Sequence, residues 1–178
     1  MVAPFPPFES PFSRRFGALE VKLYLGSILD LPADALVNPS NPRLWLGSGV
    51  SGLLRKACGP RLQEAMDAIG GVAEDGFAVT PAFEHARVAE IIHVPTVSGD
   101  AEVIETAYAN VLRRAKEAGH RRVLVPALGA GVGGMSLEDT AEALLRAIEA
   151  RDEDAPLELV VTLIDRAAVA AFERVLAS

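Results

Sequence analysis

The chain has 178 residues, half of them apolar, which is enough for one well-packed core and too few for two domains of ordinary size. Its 17 basic and 24 acidic side chains give a net charge of −7, which disfavours general binding to nucleic acid or to an anionic membrane. Cys58 is the single cysteine, so an internal disulfide is excluded, and the three histidines lack zinc-site spacing, so we expect no metal. Because no apolar run is long enough to cross a bilayer and the start of the chain lacks a signal-like segment, we expect a cytoplasmic protein.

The first sixteen residues are rich in proline and phenylalanine. Repeated prolines forbid a helix and remove strand donors, so residues 1–16 are predicted to form an irregular arm. Phe5, Phe8 and Phe12 make the arm too apolar to be left wholly in water. We expect it to pack on its own domain or on a neighbouring subunit, which leaves a homo-oligomer open. Residues 17–178 are predicted to form a single domain.

From Leu19 onwards, strand-like and helix-like patterns alternate along the chain. Strands are predicted over residues 19–25, 35–38, 77–83, 91–94, 123–125 and 157–164. Apolar stripes at helical spacing predict helices over residues 50–58, 104–115, 137–148 and 169–176, with a further helix starting after Gly59 and Pro60. Gly119 is a predicted helix end, and Ser136 and Asp165 are predicted caps. This alternation predicts an α/β fold with a mixed, mainly parallel sheet covered on both faces.

Two glycine-rich turns each follow a short apolar run and each open a helical segment. Small residues let the chain approach an anion closely, and a helix N-terminus offers unpaired N–H groups and a favourable dipole. Two such turns predict a diphosphate, held mainly by main-chain amides, and we expect Gly131 to use a positive φ. The turns consist of Gly47, Ser48, Gly49, Val50, Ser51 and Gly52, and of Gly129, Ala130, Gly131, Val132, Gly133 and Gly134.

Two asparagines leave the predicted strand just before the first turn. An uncharged amide both donates and accepts, which suits the vicinal hydroxyls of a sugar. Asparagine also commonly forms hydrogen bonds with the backbone of a turn, so each of the two residues has two possible roles. We assign the structural role to Asn38 and the ligand-binding role to Asn41. Trp45 is placed either to wall the sugar side of the cleft or to anchor the loop in the core. Cys58 and His93 lie on apolar faces and are predicted to be interior residues.

Four segments in order carry a resemblance to a known family: residues 26–28, 33–41, 46–52 and 125–134. Over residues 19–176 the chain resembles the macrodomain family. The resemblance implies a three-layer α/β/α sandwich that binds ADP-ribose or a derivative in a cleft on top of the sheet, with no cofactor. It places Asn41 at the distal ribose, residues 47–51 and 129–134 at the diphosphate, and Ser27, Ile28 and Ile164 at the adenine.

The chain departs from that family at three positions. Many members have an acidic residue at Ser27 and an aromatic one at Ile164, so adenine meets a weaker acceptor and loses ring stacking. Hydrolytic members carry an aspartate at Ser51, and serine cannot supply that carboxylate's orientation of a catalytic water. We therefore expect binding of ADP-ribose, free or attached to a protein or small molecule. The alternative is an ADP-ribosyl hydrolase or O-acetyl-ADP-ribose deacetylase that uses Asn41 as its catalytic residue.

Two further classes of function are weighed against this one. Each glycine turn formally matches the G-x-G-x-x-G pattern of nicotinamide and flavin enzymes. Neither turn has the required context, because a loop of about eight residues precedes the first, and the acidic cluster after the second, residues 152–154, precedes its strand instead of ending it. A purely structural domain is the third hypothesis. In such a domain the glycines clustered in two turns would lower stability without a function, because each loses about 0.5 to 1 kcal/mol more backbone entropy on folding than alanine does.

Overall fold

The computed structural model describes residues 5–152 and 154–178, and its centre is a seven-stranded mixed sheet in the order β1-β2-β7-β6-β3-β5-β4. The five inner strands run parallel to one another, and the two edge strands, β1 and β4, are antiparallel to their neighbours. The strands are β1 (Ser13–Phe16), β2 (Leu19–Leu25), β3 (Ala35–Ser40), β4 (Ala78–Pro81), β5 (Glu90–Pro95), β6 (Arg122–Pro126) and β7 (Leu157–Leu163).

Five helices cover the two faces of this sheet, so the predicted three-layer α/β/α sandwich is confirmed. The helices are α1 (Gly49–Cys58), α2 (Arg61–Ile69), α3 (Ala101–Ala118), α4 (Leu137–Ala150) and α5 (Arg166–Leu176). Alternate strand residues point to opposite faces, which divides the core into two clusters. The larger cluster lies under α3, α4 and α5, and the smaller one lies under α1 and α2. No helix in the described part of the chain is long and apolar enough to span a bilayer.

The predicted helix ends are confirmed where a glycine or a capping side chain was identified. Gly119 is left-handed at the end of α3, with φ +68°. The Ser136 hydroxyl accepts a hydrogen bond from the Asp139 N–H at the start of α4, and the Asp165 carboxylate accepts one from the Ala168 N–H at the start of α5.

The end of the N-terminal arm differs from the prediction. Residues 13–16 were expected to be irregular, but they form β1, which pairs with β2 from Phe16 opposite Leu19 to Ser13 opposite Lys22. The prolines of the arm stop at Pro11, so each of these four residues retains the N–H that a strand needs. The first four residues of the predicted arm lie outside the described residues.

The described part of the arm packs on its own domain. It covers Arg122, which is only 3% exposed, and the Arg122 guanidinium donates to the carbonyl of Pro6 and to the Glu158 carboxylate. The rings of Phe5 and Phe8 each lie 5.2 Å from the guanidinium carbon of Arg122. Of the two placements expected for the arm, the structure shows the one within the same chain.

Candidate ligand-binding site

Both glycine turns lie at the same edge of the sheet. The first turn follows β3 and the second follows β6, and these two strands are hydrogen-bonded neighbours that run parallel. Their carboxyl ends therefore meet, which is where ligands bind in open α/β sheets. The structure brings the two predicted phosphate cradles together from positions about eighty residues apart in the sequence.

Exposed apolar side chains are concentrated at this edge. Seven large hydrophobic residues in the described part of the chain are exposed, and five of them end or follow a strand that reaches this edge. Large apolar side chains that are exposed at one edge of the sheet indicate a binding site there. The five are Leu25 after β2, Ile164 after β7, Val132 after β6, Trp45 after β3 and Val97 after β5.

The first turn leads into a helix whose N-terminus is uncapped. The side chain of Ser48 precedes α1 without accepting a capping hydrogen bond, and the first turn of α1 has no acidic residue. By contrast, α3, α4 and α5 are capped by Asp100, Ser136 and Asp165, and α2, which starts after Pro60 without a side-chain cap, has Glu64 in its first turn. The α1 N-terminus therefore presents N–H groups and a positive dipole end without a protein partner, which is the arrangement that binds an anion.

Two glycines of these turns are not required by the protein's own geometry. A Cβ atom added to Gly47 or to Gly131 would meet nothing within 4 Å, and neither residue has a positive φ. The expected positive φ of Gly131 is therefore wrong, because the left-handed residues of the second turn are Gly129 and Gly134, with φ of +83° and +70°. At Gly47 and Gly131 the absent side chain leaves open space in front of the main chain.

A third loop, which the sequence reasoning missed, packs against the second turn. A Cβ on Gly133 would lie 2.8 Å from the Thr96 carbonyl oxygen and 2.9 Å from the Gly99 Cα, so the two backbones are in direct contact. This loop follows β5 and leads into α3. Its signal was the run Val97-Ser98-Gly99-Asp100, a small-residue turn between a strand and a helix like the two already identified. The loop adds Val97 to the exposed edge.

Asn41 closes its own loop in this structure. Its amide nitrogen donates to the Trp45 carbonyl at 2.9 Å, and its side-chain oxygen accepts the Trp45 N–H at 3.2 Å. Leu44 within the loop is buried with a positive φ of 60°, a strained conformation for a leucine. The Asn41 carboxamide would have to exchange these bonds in order to meet a ligand.

The side chain of Trp45 is 58% exposed and does not anchor its loop. The neighbouring Leu44 and Leu46 do so instead, at 0% and 6% exposure. The side chain of Gln63 on α2 braces both, because it donates to the Leu44 carbonyl and accepts the Leu46 N–H. Of the two roles predicted for Trp45, anchoring is therefore wrong, and lining the cleft stays a prediction. The guanidinium carbon of Arg43 lies 5.2 Å from the centre of the exposed ring.

The predicted adenine end lies at the carboxyl ends of β2 and β7, which are adjacent strands. Ile164 is 85% exposed, whereas Ile28 is 3% exposed with its side chain in the smaller core cluster. The Ser27 hydroxyl accepts the Leu29 N–H, and the Ser27 N–H donates to the Asp30 carboxylate at 3.0 Å. Tyr24 also donates to this carboxylate, and burial together with that bond raises the pKa of Tyr24. Asp30 places an acidic group beside Ser27 that the sequence reasoning did not identify.

Asn38 and His93 are interior residues, as predicted. Both are 0% exposed, and they are hydrogen-bonded to each other at 3.0 Å. Burial lowers the pKa of His93 to about 4, so the imidazole is neutral at pH 7. Cys58 is also fully buried, and desolvation raises the pKa of its thiol to about 11, which makes it unreactive.

Within residues 5–152 and 154–178, no group of three His, Cys, Asp or Glu side chains is arranged to hold a metal ion. A cavity of about 440 Å³ lies between α3 and α4, but its cations Arg113 and Arg151 are already bonded to Asn110 and Asp154.

Comparison with known proteins agrees with the fold. The Macro domain family model matches residues 37–144, so the chain belongs to the macrodomain family. It is 32% identical to the O-acetyl-ADP-ribose deacetylase of Klebsiella pneumoniae over 90% of this chain and 98% of that protein. It is 36% identical to the Salmonella typhimurium protein of the same name, over 69% of this chain and 74% of that protein.

Solved macrodomain structures show the same architecture at lower identity. The Oceanobacillus iheyensis macrodomain with ADP superposes with a TM-score of 0.83 at 21% identity, covering 93% of this chain and 94% of that one. The Trypanosoma brucei macrodomain in complex with ADP-ribose superposes with a TM-score of 0.80 at 22% identity, covering 88% and 68%. These likenesses establish the fold.

Proposed function

We propose that the chain binds ADP-ribose, free or attached to a protein or small molecule, across the carboxyl edge of the sheet. The observation that carries the proposal is the open space at Gly47 and Gly131. Neither the packing nor the backbone conformation of the protein requires a glycine at these two positions. A diphosphate between the two turns accounts for it, because a side chain at either position would block the approach of phosphate to main-chain N–H groups. The uncapped α1 N-terminus supplies such groups.

The strand order suggests how the ligand lies. Along the edge, the carboxyl ends follow the order β2, β7, β6, β3, β5. We infer that the adenine lies near Ser27 and Ile164, the diphosphate between the two glycine turns, and the distal ribose near Asn41 and Trp45. The exposed apolar residues at both ends of this path suit the flat faces of a base and a sugar.

Calorimetric titration with ADP-ribose, ADP, AMP and NAD tests the proposal. We expect affinity to fall from ADP-ribose to ADP to AMP, as first the ribose and then one phosphate are lost, and we expect NAD to bind more weakly than ADP-ribose. At 100 times its dissociation constant, ADP-ribose should add about 2.7 kcal/mol of stability. The proposal fails if millimolar ADP-ribose produces neither heat nor a thermal shift, or if NADH binds more tightly than ADP-ribose.

Deacetylation of O-acetyl-ADP-ribose is the second candidate, because relatives that match over nearly their whole length carry that name. In this chain Asn41 would orient the attacking water through its carboxamide, after leaving its present bonds to Trp45. Ser51 has no carboxylate to assist as a base, so we expect slow turnover.

Acetate release from O-acetyl-ADP-ribose, measured against a blank without enzyme, tests this second candidate. Asn41→Ala should abolish release while ADP-ribose still binds, and Ser51→Asp should increase release by restoring a carboxylate. Release at the blank rate by the unmodified protein would leave binding as the whole function.

A further inference from the structure

A chain of three buried hydrogen bonds runs from the edge strand β4 to the first turn of α1. Thr80 Oγ1 lies 2.9 Å from His93 Nε2, His93 Nδ1 lies 3.0 Å from the Asn38 side-chain nitrogen, and Ser51 Oγ lies 2.9 Å from Asn38 Oδ1. None of the four residues is more than 5% exposed. The hydrogen-bond chain crosses β5 and β3 and ends at Ser51, which belongs to the first glycine turn and to the first turn of α1.

The positions of the Asn38 amide atoms, taken together with the chemistry of the other three groups, set the direction of every bond in this chain. An amide nitrogen only donates, so His93 Nδ1 must accept from Asn38. The neutral imidazole then carries its one proton on Nε2, which donates to Thr80. Ser51 has a single hydroxyl hydrogen and donates it to Asn38 Oδ1, the shorter of its two contacts, since the Pro39 carbonyl lies 3.3 Å away. The Ser51 oxygen therefore retains only lone pairs for another partner.

We infer that Thr80 and His93 are positioning residues that fix the Ser51 hydroxyl as a hydrogen-bond acceptor, and that this oxygen accepts from a sugar hydroxyl of the bound ligand. The inference rests on the proposed binding of ADP-ribose. Ionised phosphate oxygens carry no hydrogen, so an acceptor-only group cannot bond to them, whereas a ribose hydroxyl supplies the hydrogen that Ser51 lacks. Ser51 stands in the turn that follows Asn41, the residue proposed to meet the distal ribose, so we assign the hydroxyl of Ser51 to that ribose and leave the main-chain N–H groups of the turn to the diphosphate.

Thr80→Val is the substitution that acts on Ser51 from a distance. Thr80 lies on β4, two strands away from β3, so its side chain is remote from the ligand. With valine there, a proton on His93 Nε2 has no acceptor, and the neutral imidazole moves its proton to Nδ1. The Asn38 amide must then turn its oxygen towards His93 and its nitrogen towards Ser51. Ser51 accepts from Asn38 and donates to Pro39, and it has less accepting capacity left for the sugar.

The first test compares Thr80→Val with the matched Thr80→Ser, which keeps the hydroxyl. Nitrogen NMR of the imidazole should report the Nε2–H tautomer in the unmodified protein and in Thr80→Ser, and the Nδ1–H tautomer in Thr80→Val. By calorimetry, Thr80→Val should weaken ADP-ribose at least threefold and leave the affinity for ADP, which lacks the distal ribose, within twofold. Thr80→Ser should bind both ligands within twofold of the unmodified protein.

A double variant shows whether Thr80 acts through Ser51. If it does, Ser51→Ala together with Thr80→Val should bind ADP-ribose as Ser51→Ala alone does, because the target of the effect is already gone. Independent effects that multiply, an equal loss of ADP and ADP-ribose affinity, or an unchanged tautomer in Thr80→Val would each overturn the inference. The tautomer is measured without ligand, so failure of the unmodified protein to bind ADP-ribose would count against the proposed function and leave this readout intact.

Discussion

At the scale of single residues, the glycines of the two turns divide by what a side chain would meet. Gly133 has no room for a Cβ because the third loop occupies the space, whereas Gly131 faces open space only two residues earlier. Glycine at position 133 is therefore required by packing, whereas glycine at position 131 is not, and we assign the latter to the proposed ligand. The sequence alone treats the two alike, because the contact between loops depends on the fold.

Gly133→Ala should destabilise the protein. Its Cβ would lie 2.6 Å from the Gly129 carbonyl oxygen and 2.8 Å from that of Thr96, and both are backbone atoms that move only with their loops. The expected loss is about 1 to 3 kcal/mol in the free energy of unfolding, measured by denaturant titration without ligand. A midpoint equal to that of the unmodified protein would show that the loops are not in close contact.

The buried His93 should make stability depend on pH. Burial lowers its folded-state pKa from 6.5 to about 4, so between these values the unfolded chain binds a proton that the folded protein does not. The contribution is fully present above pH 6.5 and is lost as the pH falls towards 4, to a total of about 3 kcal/mol.

This dependence is measured as the free energy of unfolding at pH 7 and at pH 4.5. His85 also has a lowered pKa through burial and acts in the same direction, so the comparison is made with His93→Gln, in which His85 is unchanged. The variant should lose less stability than the unmodified protein between the two pH values. Equal losses in both would contradict a neutral, buried His93.

At the scale of the elements, the helices differ in whether a side chain caps their N-terminus. Three helices are capped by Asp100, Ser136 and Asp165, and α2 lacks a side-chain cap but has an acidic residue in its first turn, whereas α1 has neither. A helix without a cap is less stable, because a capping side chain contributes about 1 kcal/mol to the free energy of unfolding. We attribute the missing cap to the anion that this helix end is proposed to bind.

Ser48→Asp should raise the stability of the free protein and lower its affinity for ADP-ribose. A carboxylate at this position favours the positive end of the α1 dipole and should stabilise the free protein by up to about 1 kcal/mol. It also places a negative charge where the diphosphate is proposed to lie, so ADP-ribose affinity should fall at least tenfold by calorimetry. Ser48→Asn has nearly the same shape without the charge, and it should bind clearly more tightly than Ser48→Asp. Equal affinities of the two variants would separate this helix end from the ligand.

The elements themselves were largely predictable, because hydrophobic period and capping residues act locally. The stripe of α3 and its end at Gly119 are examples, and so are the caps of α4 and α5. The edge strand β1 was missed, since its neighbours in sequence are prolines and its pairing with β2 is a tertiary contact.

At the scale of the whole molecule, the alternation of strands and helices was enough to predict a mixed, mainly parallel sheet covered on both faces, and the family resemblance implied the three-layer sandwich. That the two glycine turns meet depends on the pairing of β3 with β6, which only the structure shows. The hydrogen-bond partners of individual side chains were not predictable. Asn41 was assigned to the ligand from its residue type, but its present bonds to Trp45 arise from a loop that bends at Leu44 with a positive φ. A homo-oligomer through the arm stays a prediction.

The calorimetric titration of ADP-ribose into the unmodified protein and into Gly131→Val tests the central claim most directly. A Cβ at this position meets no protein atom within 4 Å and the backbone has no positive φ, so we expect the unfolding temperature without ligand to be unchanged. The account predicts saturable binding by the unmodified protein and at least a tenfold loss in Gly131→Val. Undiminished affinity in a normally folded Gly131→Val would contradict it, because the open space in front of this residue would then not hold the diphosphate.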